Sequence, residues 1–214
     1  VSYYPVFLDL RGRRCVVAGG GPAAAQKARG LLEAGARVDV YAPRPCPELA
    51  ALDVTVVRRE YRQGDMAGAR LAIDASGSAD VAAAMRHDAD AEGTLLNVMD
   101  VPEHCDFIAP AIVKRGPLQV AISTSGESPF LAASLRARLQ RELGDEWREF
   151  VTLVGELRRG LRRQGVPLDR QTRIYQRLLA SNVLDLLRAG AVAAARHEAE
   201  RIVHEASSLE RNSS

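Results

Sequence analysis

Residues 16–27, VVAGGGPAAAQK, pass from an apolar run through three glycines into an alanine-rich segment. Gly19, Gly21 and Ala24 fall at the GxGxxG/A spacing. That spacing has a mechanical reason: the first glycine permits a tight turn, the second lets backbone approach a pyrophosphate, and a small third residue lets the helix pack close. The start of the helix adds amide donors and the positive end of its dipole. The alternative is a tight structural turn with no ligand, so the flanking pattern has to decide.

Outward from the loop, six runs read as strands: 14–19, 37–42, 54–59, 71–76, 94–99 and 118–124. Several are apolar without clean alternation, as expected of a parallel sheet covered on both faces. Residues 22–35 and 78–93 carry helical spacing between strands, with Ser78 or Asp80 as an N-cap and Gly35 and Gly93 as stops. RQGDMAGAR, 62–70, is too short and glycine-interrupted for a crossover helix, and only a turn is expected there. Strand, loop, helix and second strand thus stand where a dinucleotide fingerprint requires them, and the fold class expected is α/β with a Rossmann-type parallel sheet.

After residue 126 the pattern becomes helical. Ser128 is placed as an N-cap with Pro129 at the first helical position, and Leu131, Leu135, Leu139 and Leu143 recur every four residues. Such a stripe needs a partner, either another helix or a second copy of the chain. Amphipathic helices are expected over 146–165, 168–190 and 191–209, and ERNSS (210–214) reads as a frayed end. The expected organisation is a nucleotide-binding domain over 1–113, a dimerisation segment over 114–146 and an all-helical domain over 147–214.

The totals narrow the classes. The 214 residues, 47% hydrophobic and 26% charged, suffice for one domain and a smaller second unit. A net charge of +2 and a pI near 8.6 fall short of a nucleic-acid binder's basic footprint, so no nucleic-acid partner is expected. Cys15, Cys46 and Cys105 suggest neither a disulfide framework nor a paired metal site, which favours a reducing, cytoplasmic setting. No apolar run approaches the roughly 20 residues of a membrane span, and the first residues lack the order of a signal peptide.

Several features carry candidate chemistry. The acid expected at the end of the second strand, to hold the ribose hydroxyls, is replaced by Ala42, Pro43 and Arg44. Arg44 suits a 2′-phosphate or is an ordinary solvated arginine, which leaves NAD against NADP open. Asp100 falls just past the fifth strand, where open α/β sheets bind ligands; it is either a proton acceptor or a cap on the loop before Pro102. Glu103, His104, Cys105 and Asp106 include metal-ligand types, but consecutive residues rarely face one ion, so no resident metal is expected. His197 and His204, two helical turns apart, read as a surface pattern. ISTSGESP, 122–129, gathers Ser123, Thr124, Ser125 and Ser128 before a helix start, a receptor for carboxylate or phosphate or an ordinary capped turn. Arginines over 156–165 and 170–177 suit a polyanionic ligand or a solvated face.

Two long stretches carry a family resemblance: YYPVFLDLRGRRCVVAGGGPAAAQKARGLLEAGARVDVYAP (3–43) and NVMDVPEHCDFIAPAIVKRGPLQVAISTSGESPFLAASLRARL (97–139). They resemble the precorrin-2 dehydrogenase family, which is also the N-terminal half of multifunctional siroheme synthases. The resemblance implies NAD-dependent oxidation of the tetrapyrrole precorrin-2 to sirohydrochlorin and, in some members, Fe²⁺ insertion to give siroheme. It implies that Asp100 is the key aspartate, with iron met transiently beside it where chelation occurs. It places Pro22 and Ala23 with Gly19 and Gly21 at the pyrophosphate, Pro43 and Arg44 at the adenosine side, and Ser76 among the cofactor contacts. It also implies an intertwined homodimer, which would cover the leucine stripe. Pro22 stands where an acid is common, Val101 where some members carry a second aspartate, and Ser125 where glycine is frequent. Val101 leaves chelation resting on fewer groups. No methyltransferase sequence lies within the 214 residues, so a separate protein is expected to supply precorrin-2. The competing expectation from another class is a nucleotide-sensing module whose helical tail engages a partner.

Overall fold

Five parallel strands form the first sheet of the computed structural model, which describes residues 3–208. They are β1 (Arg14–Ala18), β2 (Arg37–Tyr41), β3 (Thr55–Val57), β4 (Leu71–Asp74) and β5 (Leu95–Val98), in the order β3-β2-β1-β4-β5. The chain therefore winds outward from β1 to β3, returns, and continues from β4 on the other side. The reversal lies between β1 and β4, and their carboxyl ends frame the crevice where such sheets bind ligands.

Side chains alternate along β1. Cys15 and Val17 join Val38 and Val40 in a core under helix α1 (Pro22–Glu33), while Val16 and Ala18 join Tyr41, Met85 and Leu96 in a core under helix α3 (Ala79–Glu92). Covering on both faces explains why these strands lack a polar side. Helix α2 (Pro47–Ala50), a single turn after β2, was not foreseen. Ser78 is the N-cap of α3, accepting from the Val81 amide at 3.4 Å, and Gly93 ends that helix in the left-handed conformation.

The third strand pairs only over Thr55–Val57 and is shorter than the run suggested. Arg59 has left the sheet: its guanidinium lies 5.1 Å from the Tyr41 ring centre and pairs with Asp65 at 2.6 Å. The turns that follow dock onto α3 through Asp88, which is buried and accepts from the Tyr61 hydroxyl and, at 2.7 Å, from the Gly64 amide.

The chain divides between Ala109 and Pro110 into two compact units. The second opens with an antiparallel hairpin, β6 (Ala111–Arg115) and β7 (Leu118–Ile122). The run at 118–124 is thus a strand, but its partner is AIVKR, which the sequence reading passed over. The signal was Gly116-Pro117: Gly116 has φ 56° and proline holds φ negative, the pattern of a two-residue hairpin turn.

Helices α4 (Pro129–Glu142), α5 (Glu146–Arg163), α6 (Leu168–Ala180), α7 (Val183–Arg188) and α8 (Val192–Ser208) complete the unit. Phe150, Leu153, Leu161, Ile174, Leu178, Val183, Ala195 and Ile202 share one core. The single helix expected over 168–190 is two: Ser181 turns extended, donates to the Leu178 carbonyl at 2.7 Å and accepts from the Val183 amide at 3.3 Å. A serine that bonds nearby backbone competes with the helix ladder. On α4, Leu131 and Leu135 remain 49% and 38% exposed and Phe130 84% exposed, so the front of the leucine stripe is uncovered by the described residues of its own unit. The frayed end expected at 210–214 lies outside the described residues.

Candidate functional site

Gly19 leaves β1 at φ 119°, and its amide donates to the Tyr41 carbonyl at 2.9 Å. A β-carbon on Gly19 would stand 2.5 Å from the Ala75 carbonyl oxygen. The turn after β1 is therefore wedged between the ends of β2 and β4, and only glycine fits. Gly20, an unspecified position in the spacing, is equally constrained, because a β-carbon there would collide with the Arg44 carbonyl. Its own carbonyl accepts from the Cys46 amide at 2.7 Å. Close packing against the next loop is a tertiary demand that no local spacing announces.

Gly21 differs from both. A β-carbon there meets nothing within 4 Å, and it is the N-cap of α1 with no side chain bonded to the helix start. Pro22 takes the first helical position, where its missing N–H costs nothing. The open face at Gly21, the uncapped amides from Ala23 onward and the helix dipole together suit a pyrophosphate. Ala24 is fully buried against the sheet, as the spacing implied.

A cleft of about 120 Å³ opens beside this loop, lined by Gly19, Gly20, Tyr41, Pro43, Glu60, Tyr61, Ser76, Ser78 and Val81 among others. Gly19, Pro43 and Ser76 are thereby brought together. The Arg44 side chain is exposed, and its carbonyl is what meets Gly20. Glu60 and Tyr61 are additions that the sequence reading missed; they follow the short β3, and shortening that strand places them at the rim. Burial and the Asp88 carboxylate raise the Tyr61 hydroxyl well above its ordinary pKa, so it stays a donor.

Asp100 lies at the carboxyl end of β5. The Val101 amide donates to the Val98 carbonyl at 3.3 Å, closing a turn in which Asp100 is the third residue at φ 63°. Left-handed backbone at that place ordinarily calls for glycine, so the aspartate is held there at a conformational cost. The turn is tied to the cleft through Asp74: its carbonyl accepts from the Met99 amide at 3.0 Å, and its Oδ1 accepts from the Ser76 amide at 2.8 Å. Asp74 is buried and went unnoticed in the sequence.

The neighbours of Asp100 hold the loop. Asp106 accepts from the Leu96 amide at 2.9 Å and from Arg86 at 3.1 Å. Among the described residues, no three His, Cys, Asp or Glu side chains gather as a metal cluster.

The hydroxyl loop belongs to the second unit. Ser123 Oγ accepts from the Ser125 amide at 3.0 Å, Thr124 Oγ1 from the Ser128 amide at 3.1 Å, and Ser128 Oγ from the Leu131 amide at 3.2 Å. Each oxygen is engaged by backbone, which leaves its O–H to donate to an anion. Ser125 is the second non-glycine residue at positive φ, 54°.

Comparison with known proteins places this architecture. Residues 6–111 match an NAD(P)-binding family model, and residues 115–142 match the model of the sirohaem biosynthesis protein central segment. The chain is 37% identical over 205 residues to a siroheme synthase of Chromobacterium violaceum, covering 94% of this chain and 44% of that protein. It is 35% identical over 205 residues to a siroheme synthase of Thioalkalivibrio sulfidiphilus, covering 94% and 42%. The chain thus spans less than half the length of these relatives. A solved structure, SirC, precorrin-2 dehydrogenase, superposes with TM-score 0.72 at 25% identity, covering 93% of this chain and 100% of that one. With the dinucleotide loop, the hairpin and the helical segment all matched in order, the chain belongs to the siroheme synthase family.

Proposed function

We propose that this protein oxidises precorrin-2 to sirohydrochlorin with NAD, using Asp100 as the general base. What carries the reading is the Asp100 turn: a carboxylate held at φ 63° at the end of β5, one hydrogen-bonded step through Asp74 from a cleft built for a dinucleotide. NAD, when bound, supplies the hydride acceptor. The chain's own residues bind and orient: the amides at the start of α1 take the pyrophosphate, and Pro43 and Ser76 line the cofactor cleft, Pro43 on the adenosine side. Asp100 takes the proton that leaves the macrocycle as the hydride departs. Ser123, Thr124, Ser125 and Ser128 present donors to the carboxylates of the substrate.

NAD is favoured over NADP by Glu60, a carboxylate lining the cleft although none stands at the end of β2. A 2′-phosphate near Glu60 would set like charges together at the cleft rim. A second copy of the chain covers Phe130, Leu131 and Leu135, making the protein a homodimer. The deciding experiment supplies precorrin-2 and NAD to the purified protein and follows NADH and sirohydrochlorin. Formation of both in equal amounts is expected; formation of neither defeats the proposal.

A further inference from the structure

We propose that Cys105 is a positioning residue for Asp100, an inference that rests on reading Asp100 as the base. The segment from Leu96 to Phe107 is a closed loop. At its base the Asp106 amide donates to the Leu96 carbonyl at 2.8 Å, and Asn97 Nδ2 donates to the Phe107 carbonyl at 2.9 Å. Inside it, the Cys105 sulfur accepts from the Val98 amide at 3.2 Å. Its S–H faces two acceptors, the Val98 carbonyl at 3.2 Å and the Val101 carbonyl at 3.3 Å.

Val98 and Val101 are the first and last residues of the turn whose third residue is Asp100. One side chain therefore touches both ends of that turn, and among the described residues no other side chain hydrogen-bonds to both. Among the described residues the Asp100 carboxylate makes no hydrogen bond of its own, so what fixes the direction of its Cα–Cβ bond is backbone that is unfavourable for an L-residue. A turn of this kind relaxes toward negative φ when its ends are released, and relaxation swings the carboxylate away. Cys105 also packs against the core under α3, which fixes where its sulfur stands. A serine hydroxyl has the same donor and acceptor roles but a shorter bond to its β-carbon, so it restores one end of the clamp better than both.

The test compares Cys105→Ala and Cys105→Ser in the full chain, alone and combined with Asp100→Ala. Turnover of precorrin-2 and the Kd for NAD are measured on each. Cys105→Ala is expected to lower kcat about tenfold or more while the NAD Kd stays within about twofold, and Cys105→Ser to recover part of the rate. In the Asp100→Ala background, removing the thiol is expected to cost no further rate, because the two residues act as one unit. If Cys105→Ala does not fold, Cys105→Ser carries the same comparison. Wild-type kcat in both cysteine variants, a rate loss that follows the NAD Kd, or an equal further loss in the Asp100→Ala background overturns the inference. A fully active Asp100→Ala defeats instead the reading of Asp100 on which it rests.

Discussion

The Ala75 carbonyl oxygen lies 2.5 Å from the point where a β-carbon on Gly19 would stand, whereas the corresponding point on Gly21 faces open space. Two glycines of one motif thus differ: the fold demands the first and leaves the second open to the dinucleotide proposed to bind there. Gly19→Ala forces a clash and a strained φ, and the strain alone costs about 1–3 kcal/mol of stability. Gly21→Ala has φ −85° and no neighbour, so stability should change by no more than about 0.5 kcal/mol. Its NAD Kd should nevertheless rise about tenfold, or about 1.4 kcal/mol, since the new methyl group occupies the face offered to the pyrophosphate. Chemical denaturation and NAD titration of the two variants separate the roles.

At Asp100 the proposed function and the fold pull in opposite directions. Asp100→Gly relieves left-handed strain at φ 63° while loosening the unfolded chain, so its stability should remain within about 1 kcal/mol of wild type. Turnover should fall by about 10²–10⁴-fold, the range associated with loss of a general base. A stability loss without a rate loss would make Asp100 a loop residue.

The sequence made the parallel sheet and the glycine loop after β1 legible because both follow from local pattern: apolar runs, glycine spacing and a helix start. The constraints on Gly20, Asp74 and Glu60 were not legible, because each arises from a neighbour distant in sequence: the Arg44 carbonyl, the Met99 amide and the cleft rim beyond β3. Strand β6 was missed for a simpler reason. Its two-residue turn uses Gly-Pro, and AIVKR alternates too briefly to stand out beside the longer run after it. The place of Asp100 just past the fifth strand was legible, but its positive φ was not.

Glu60 offers a direct check on cofactor choice. Removing its charge in Glu60→Gln should leave NAD affinity within about threefold and tighten NADP severalfold, since a charge pair near a partly screened rim is worth about 1 kcal/mol. Parallel titrations with the two dinucleotides measure it. An unchanged NADP affinity would show that the carboxylate does not face the ribose.

Tyr61 and Asp88 provide a pH signature. Burial and the Asp88 carboxylate hold the Tyr61 hydroxyl protonated past its ordinary range, while the unfolded chain releases that proton near pH 10. The stabilisation is therefore complete below about pH 10 and declines as pH rises above it. Tyr61→Phe leaves the buried Asp88 with the Gly64 amide alone among these two partners and should cost about 1–3 kcal/mol at pH 7. Above pH 10 the gap between wild type and variant should narrow. Urea unfolding at pH 7 and pH 10.5 tests the sign.

The exposed front of α4 sets the last expectation. Phe130, Leu131 and Leu135 present apolar surface at 84%, 49% and 38% exposure on a helix whose Ala132 is buried in its own unit. Charged residues at Leu131 and Leu135 are compatible with the fold of one chain, because both side chains already reach solvent. They are not compatible with a second copy laid on the same face, where a carboxylate would be stripped of water without a partner. Leu131→Glu with Leu135→Glu should therefore leave the circular dichroism spectrum unchanged and convert a dimer to a monomer in sedimentation velocity. If wild type and variant sediment alike as dimers, the second copy docks elsewhere; if both are monomers, the apolar face serves another partner.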